Sequence, residues 1–256
     1  MPLIVEQFPV RSDNFGVLIH DPDQRVTASI DAPEEEPIVA RLREKGWTLD
    51  RILTTHHHSD HVEANLALKH AYGCSITGPA READRIPGID TQVGGGDTFQ
   101  FGGFEVRVID TPGHTLGHVS YWLPAAGVAF VADTLFALGC GRVFEGTPEM
   151  MWASLERLAG LPNETVIYCG HEYTEANARF AVTIEPENAE LMRRAEEVRR
   201  LRSEGKATLP TTVALEKRTN PFLRANERTI RARLGMEQAP PAAVFAEIRR
   251  RKDNFR

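Results

Sequence analysis

The chain has 256 residues, 41% hydrophobic and 26% charged. These ordinary globular proportions exclude collagen-like, disordered and disulfide-scaffold classes and leave room for one domain or two. Three cysteines, Cys74, Cys140 and Cys169, are too few and too scattered for a disulfide framework or a four-cysteine zinc site, and fit a reducing compartment. The N-terminal segment lacks a basic region followed by an apolar one, and no stretch reaches the roughly 18 apolar residues that span a bilayer. A cytoplasmic protein with no membrane partner is expected. The net charge of −6 hides a polarity: residues 1 to 172 hold 12 Lys/Arg against 24 Asp/Glu, and residues 173 to 256 hold 18 against 12. A basic C-terminal third can hold nucleic acid, a membrane surface, a small anion or the acidic remainder of the chain.

In chain order, β-rich runs are expected at Val17 to His20, Val26 to Asp31, Arg51 to Thr55, Phe104 to Asp110, Val119 to Leu123, Val128 to Asp133 and Thr165 to Cys169. Helices are expected over Pro37 to Lys45, Val62 to Tyr72 and Pro148 to Leu158. Gly94-Gly95-Gly96-Asp97 reads as a turn, without the spacing of a phosphate loop. After about Glu172 strands vanish and helical spacing takes over. Leu191, Ala195, Val198 and Leu201 mark one helix between Pro186 and Gly205; Asn226 to Leu234 forms a second with Asn226 as N-cap and Gly235 at its end; Val244 to Phe255 forms a third. The mixture reads as α/β or α+β with helices covering sheets, and a domain boundary near residue 172 is expected to divide 1–172 from a helical 173–256.

The strongest chemical signal is Thr55-His56-His57-His58-Ser59-Asp60-His61. Alternate side chains of an extended segment share a side, so His56 and His58 can converge on one ion while His57 points away. His114, Asp133 and His171 stand at the ends of other β-runs, where a rigid sheet can bring distant residues together. Five imidazoles and two carboxylates suit zinc foremost, with iron or manganese as alternatives, and suit calcium poorly. Seven ligands are too many for one tetrahedral ion and fit two divalent metal ions. The spacing suggests His56, His58 and His114 for the first, Asp60, His61 and His171 for the second, and Asp133 as the bridge. A water held between such ions loses a proton near neutral pH, so a hydroxide nucleophile is expected.

The histidine run, with Thr111-Pro112-Gly113-His114, Ala132-Asp133 and Gly170-His171, resembles the metallo-β-lactamase superfamily, which implies an αββα sandwich over residues 1 to about 172. Gly139-Cys140-Gly141-Arg142-Val143-Phe144-Glu145-Gly146, Gly170-His171-Glu172-Tyr173-Thr174, Asn220-Pro221-Phe222-Leu223-Arg224 and the ending Arg250-Arg251-Lys252-Asp253-Asn254-Phe255 narrow the likeness. Together they resemble the glyoxalase II family, the hydroxyacylglutathione hydrolases, over essentially the whole chain. That resemblance implies a smaller all-helical C-terminal domain and hydrolysis of S-D-lactoylglutathione to D-lactate and glutathione, the second step of methylglyoxal detoxification. It implies the same seven metal ligands, attack by the bridging hydroxide, and glutathione contacts at Arg142, Phe144, Tyr173, Arg249 and Lys252; Asp60, foremost a ligand, is expected to orient that hydroxide and accept its proton.

Arg249 and Lys252, three apart on an expected helix, can clamp a carboxylate together. Where the family commonly has Lys and Tyr, this chain has Arg142 and Phe144; the arginine keeps the charge, and the phenylalanine loses a hydroxyl donor. His118 is a candidate support for the site, whereas His20 and His70 lie outside every cluster. Cys140 and Cys169 are expected to be buried small hydrophobes. A lactamase, a persulfide dioxygenase and a tRNA-processing ribonuclease compete within the superfamily, and an inactive metal-stabilised module holding nucleic acid competes from outside it. None of the three enzymes explains the Asn220 to Arg224 segment and the tail, and the complete ligand set argues against the module, since a scaffold has no need of an open bridging water. A glutathione thioester is therefore the expected partner, with no nucleic acid, and a monomer is the expected state.

Overall fold

The computed structural model describes residues 1 to 255. The chain forms two compact units: Met1–Asp110 with Leu116–Val131, and Thr111–Thr115 with the chain from Ala132 onward.

The first unit opens with β1 (Ile4–Val10), β2 (Asn14–Asp21) and β3 (Val26–Ile30), paired antiparallel. α1 (Glu35–Lys45) then leads to β4 (Arg51–Leu53), and α2 (Ser59–Val62) and α3 (Asn65–Tyr72) lead to β5 (Ser75–Pro79), followed by a 3₁₀ turn, Ala80–Arg85, and β6 (Thr91–Val93). Strands β3 to β6 run parallel, with Ile30 beside Leu53 and Leu53 beside Thr77. Parallel neighbours need a long crossover, which α1 and α3 provide. The apolar face of this sheet buries Leu18, Ile52 and Ile76 against Ile38 and Leu42 of α1 and Leu68 of α3. A second, antiparallel set, β7 (Thr98–Phe101), β8 (Phe104–Asp110), β9 (Val119–Leu123) and β10 (Val128–Ala132), completes the unit. Gly94 to Asp97 is the expected turn, closed by Asp97 N–H to the Gly94 carbonyl.

Most expected elements match within a residue or two, and the differences have physical causes. The helix expected over Val62 to Tyr72 is broken at Glu63-Ala64. There the Ala64 N–H donates to the Ala32 carbonyl at 3.0 Å, outside the helix ladder. β1 falls outside the expected strands; it is an edge strand containing Pro9, a residue with no N–H to donate. β5, which ends in Gly78 and Pro79, and the short β6 and β7 also fall outside the expected strands.

In the second unit a short hairpin, β11 (Leu135–Phe136) and β12 (Gly139–Cys140), precedes α4 (Pro148–Ala159) and β13 (Val166–Cys169). Then come α5 (Thr174–Ile184), α6 (Ala189–Ser203), β14 (Thr211–Thr212), α7 (Val213–Thr219), α8 (Arg228–Leu234) and α9 (Pro241–Asp253). Strands do not vanish after Glu172: β14 pairs antiparallel with β13, Thr212 beside Val166. The N-cap of α8 is Glu227 rather than Asn226, while Gly235 ends that helix in the left-handed conformation, as expected. Helices α5 and α6 bury Ala178, Ala181, Leu191, Ala195 and Val198 together with Leu138 of the hairpin turn. That turn is gripped by polar side chains. Glu216 accepts the Leu138 N–H at 2.9 Å, Asn177 donates to the Ala137 carbonyl at 3.1 Å, and Asn220 donates to the Phe136 and Gly139 carbonyls at 3.1 and 2.9 Å. Satisfying every polar group of a buried turn fixes the path of the chain that leaves it.

Candidate metal centre

The first unit contributes the histidine run. Beyond β4 the backbone is pinned on both sides: Thr54 N–H donates to the Thr77 carbonyl, the Tyr121 hydroxyl donates to the Thr54 carbonyl at 2.6 Å, and Val119 N–H donates to the Thr55 carbonyl. His56 and His58 then share a side, with His56 Nε2 3.1 Å from His58 Nδ1. His57 turns the other way, onto Glu82. Asp60 and His61 sit in α2, with His61 Nε2 3.6 Å from Asp60 Oδ2.

Groups outside the expected set fix these side chains. Asp31, at the end of β3, accepts the Thr55 N–H at 2.7 Å, the Thr55 hydroxyl at 2.8 Å and the His61 Nδ1–H at 2.7 Å. A carboxylate on Nδ1 sets the tautomer and leaves Nε2 as the ligating nitrogen. Asn14 donates to Asp60 Oδ2 at 3.1 Å. The ring of His118 stacks on that of His56 with centroids 4.8 Å apart. Neither Asp31 nor Asn14 was singled out from sequence; the available hint was that Asp31 closes a strand, as the ligands do. His20 is a satisfied buried histidine, bonded to Thr27 and stacked on Trp47, and His70 is exposed.

The second unit contributes His114, Asp133 and His171, each less than a tenth exposed. Asp133 Oδ2 lies 3.4 Å from both His114 Nε2 and His171 Nε2. His114 Nδ1 donates to the Arg142 carbonyl at 2.9 Å, so here a main-chain oxygen sets the tautomer. Two glycines permit the packing. A Cβ on Gly141 would lie 1.9 Å from the Asp133 carbonyl oxygen, and Gly113, at φ +146°, would meet the Met151 backbone at 2.8 Å.

The donor set fits divalent ions. Bonds of about 2.0 to 2.1 Å in a tetrahedral shell put neighbouring ligand atoms about 3.3 Å apart, and the separations within each unit are 3.1 Å for His56 and His58 and 3.4 Å for Asp133 with its two histidines. Asp133 Oδ2 thus stands within ligand-to-ligand distance of both His114 and His171.

The residues expected to hold substrate all lie in the second unit. Phe144, 60% exposed, places its ring 5.2 Å from that of His114, and Tyr173 stacks flat on His171 at 4.7 Å. Arg142 is exposed. Arg249 is buried, ion-paired with Asp253 at 2.8 Å and donating to the Cys140 carbonyl at 3.0 Å. Lys252 donates to the Ala176 carbonyl at 2.8 Å. Burial, with Arg249, Arg179 and Arg142 adding their repulsion, pulls the Lys252 ammonium down to about 8. Cys140 and Cys169 are buried free thiols, as expected; burial pushes Cys140 up to about 11 and Cys169 well above the ordinary thiol value.

Residues 24–171 match the family described as the metallo-beta-lactamase superfamily, and residues 172–255 match the one described as the hydroxyacylglutathione hydrolase C-terminus. Hydroxyacylglutathione hydrolases of Brucella ovis and Brucella abortus are each 62% identical over 253 residues, covering 99% of this chain and 98% of their own. Among solved structures, ETHE1 from Myxococcus xanthus aligns with a TM-score of 0.67 at 27% identity, over 95% of each chain. The fold is thus the α/β metallo-β-lactamase sandwich followed by a helical C-terminal region. By full-length identity and by both matched regions, the chain belongs to the hydroxyacylglutathione hydrolase family of the metallo-β-lactamase superfamily.

Proposed function

We propose that the chain hydrolyses S-D-lactoylglutathione and related 2-hydroxyacylglutathiones to the 2-hydroxy acid and glutathione, as the second step of methylglyoxal detoxification. The observation that carries this reading is the 62% identity to hydroxyacylglutathione hydrolases across 99% of the chain. We assign His56, His58 and His114 to one divalent ion and Asp60, His61 and His171 to another, with Asp133 shared between them and zinc as the preferred occupant. When bound, such ions supply Lewis acidity and lower the pKa of water toward neutrality.

The chain's own residues do the rest. Asp60, whose Oδ2 accepts the Asn14 amide N–H at 3.1 Å, is foremost a ligand in this reading and also orients the attacking water and takes its proton. The water oxygen joins the thioester carbonyl carbon and the carbon–sulfur bond breaks. A thiol with a pKa of roughly 8.5 to 9 leaves as thiolate, so no strong general acid is needed. Lys252, Arg249 and Arg142 supply the cationic charge for glutathione carboxylates, and Tyr173 and Phe144 supply ring surface. We divide these roles at residue 172, metal binding over 1–172 and glutathione binding over 173–256, with Arg142 and Phe144 reaching across from the first part. We further infer a cytoplasmic monomer with no nucleic-acid or membrane partner. Free buried cysteines fit a reducing compartment.

The test is hydrolysis of S-D-lactoylglutathione before and after chelation, with metal content measured on the same sample. Activity that falls with metal content is expected. A fully metallated preparation without activity overturns the reading.

A further inference from the structure

Glu82 is a buried carboxylate outside the expected ligand set, 3% exposed, in the 3₁₀ turn that follows β5. Its two oxygens accept three N–H bonds from two loops. Oε2 takes the His57 main-chain N–H at 2.8 Å and the His57 Nδ1–H at 2.6 Å, and Oε1 takes the Gly117 N–H at 2.8 Å. Both loops touch the surroundings of His56. His57 lies between His56 and His58, and Gly117 precedes His118, whose ring stacks on His56. Only glycine admits this approach, since a Cβ at position 117 would lie 2.5 Å from Glu82 Cγ. Between Leu53 and Ser59 the backbone belongs to no helix or strand, so nothing periodic sets its course there. Its direction past Thr55 depends on such tethers.

We propose that Glu82 is a positioning residue for the metal-ligating loop. By fixing the backbone and ring of His57 it turns His56 and His58 to the same side, and through Gly117 it presses the ring of His118 against His56. His57, which points away from its neighbours, thereby becomes the anchor of the loop. Charge-assisted bonds to one buried carboxylate are short and directional, which suits this task, and removing the acceptor leaves buried N–H groups without it. The inference rests on the metal-binding part of the function proposed above.

Zinc affinity, measured by competition with a chromophoric chelator, and the melting temperature with and without zinc test it on the full chain. Glu82→Gln keeps the shape but turns an amide NH₂ toward at least one of the three donors. Its zinc dissociation constant is expected to rise about 10- to 100-fold, the usual cost of losing an outer-shell partner. The gain in melting temperature on adding zinc should shrink as well, beyond any fall in the metal-free value. His57→Gln keeps the main-chain bond to Glu82 and should raise the constant about three- to tenfold, the effect of one lost hydrogen bond. Zinc binding within about twofold of wild type in folded Glu82→Gln, with only the metal-free melting temperature lowered, would make Glu82 merely structural and overturn the proposal; if Glu82→Gln does not fold, unchanged affinity in His57→Gln overturns it equally. Wild-type protein that binds zinc but hydrolyses no thioester would sink the hydrolase reading and leave this one standing.

Discussion

In the first compact unit four ligand candidates lie between His56 and His61, whereas in the second His114, Asp133 and His171 come from three separate loops. Neighbours in sequence cannot all aim at one point by chain geometry alone, and the first unit corrects their directions with side chains from elsewhere: Asp31 on Thr55 and His61, Asn14 on Asp60, Glu82 on His57. The second unit needs less correction. Its ligands arrive on different loops, a main-chain carbonyl orients His114, and the two ring nitrogens share one Asp133 oxygen. A dense motif is therefore easy to see and costly to orient, and a dispersed one is the reverse.

The comparison can be broken most severely at Asp133, because both histidines of its unit converge on one of its oxygens. Asp133→Ala should cost about a thousandfold or more in kcat/KM, since several kcal/mol of transition-state stabilisation depend on metal binding. Steady-state kinetics with metal analysis will show it, and near-normal metal content in the variant would argue against a shared ligand. Asp31→Asn should be milder, about 10- to 100-fold in metal affinity, because it disturbs the direction of His61 without removing a ligand. An equal loss in both variants would erase the distinction between ligand and orienting carboxylate.

Lys252 gives a pH test of the second unit. Below about 8 its ammonium is charged, the form proposed to hold a glutathione carboxylate, and above that value it sheds its proton. KM should therefore rise about tenfold as pH climbs through about 8, the worth of one charged hydrogen bond, and Lys252→Arg, which stays charged, should flatten the profile. A pH-independent KM in the wild type would remove Lys252 from the substrate site. Smallest is Phe144→Tyr, which restores a hydroxyl on an exposed ring and should lower KM about two- to fivefold. An unchanged KM would mean that this hydroxyl finds no partner on glutathione.

Much of the architecture was legible in the sequence because its signals are local. Buried Val106 and Val108 flank exposed Arg107 in β8, and Thr147 caps α4 just before Pro148. The seven candidate ligands were legible because imidazoles and carboxylates at strand ends are chemically conspicuous. Asp31, Asn14 and Glu82 were not, since an orienting carboxylate or amide in sequence looks like any other. Only the partner reached across 24 to 46 residues reveals it. The same holds for the split between α2 and α3, where an N–H leaves the helix for a carbonyl far back in the chain.

That split has a mechanical consequence. The carbonyl it reaches belongs to Ala32, whose own N–H donates to the His61 carbonyl at 2.8 Å, next to the Asp31 carboxylate that holds the His61 ring. His61 is thus clamped by main chain and side chain to the end of β3, not carried by a continuous helix. α3 can fray and reform, as short helices do, without transmitting that motion along a shared helical ladder to the candidate ligand His61.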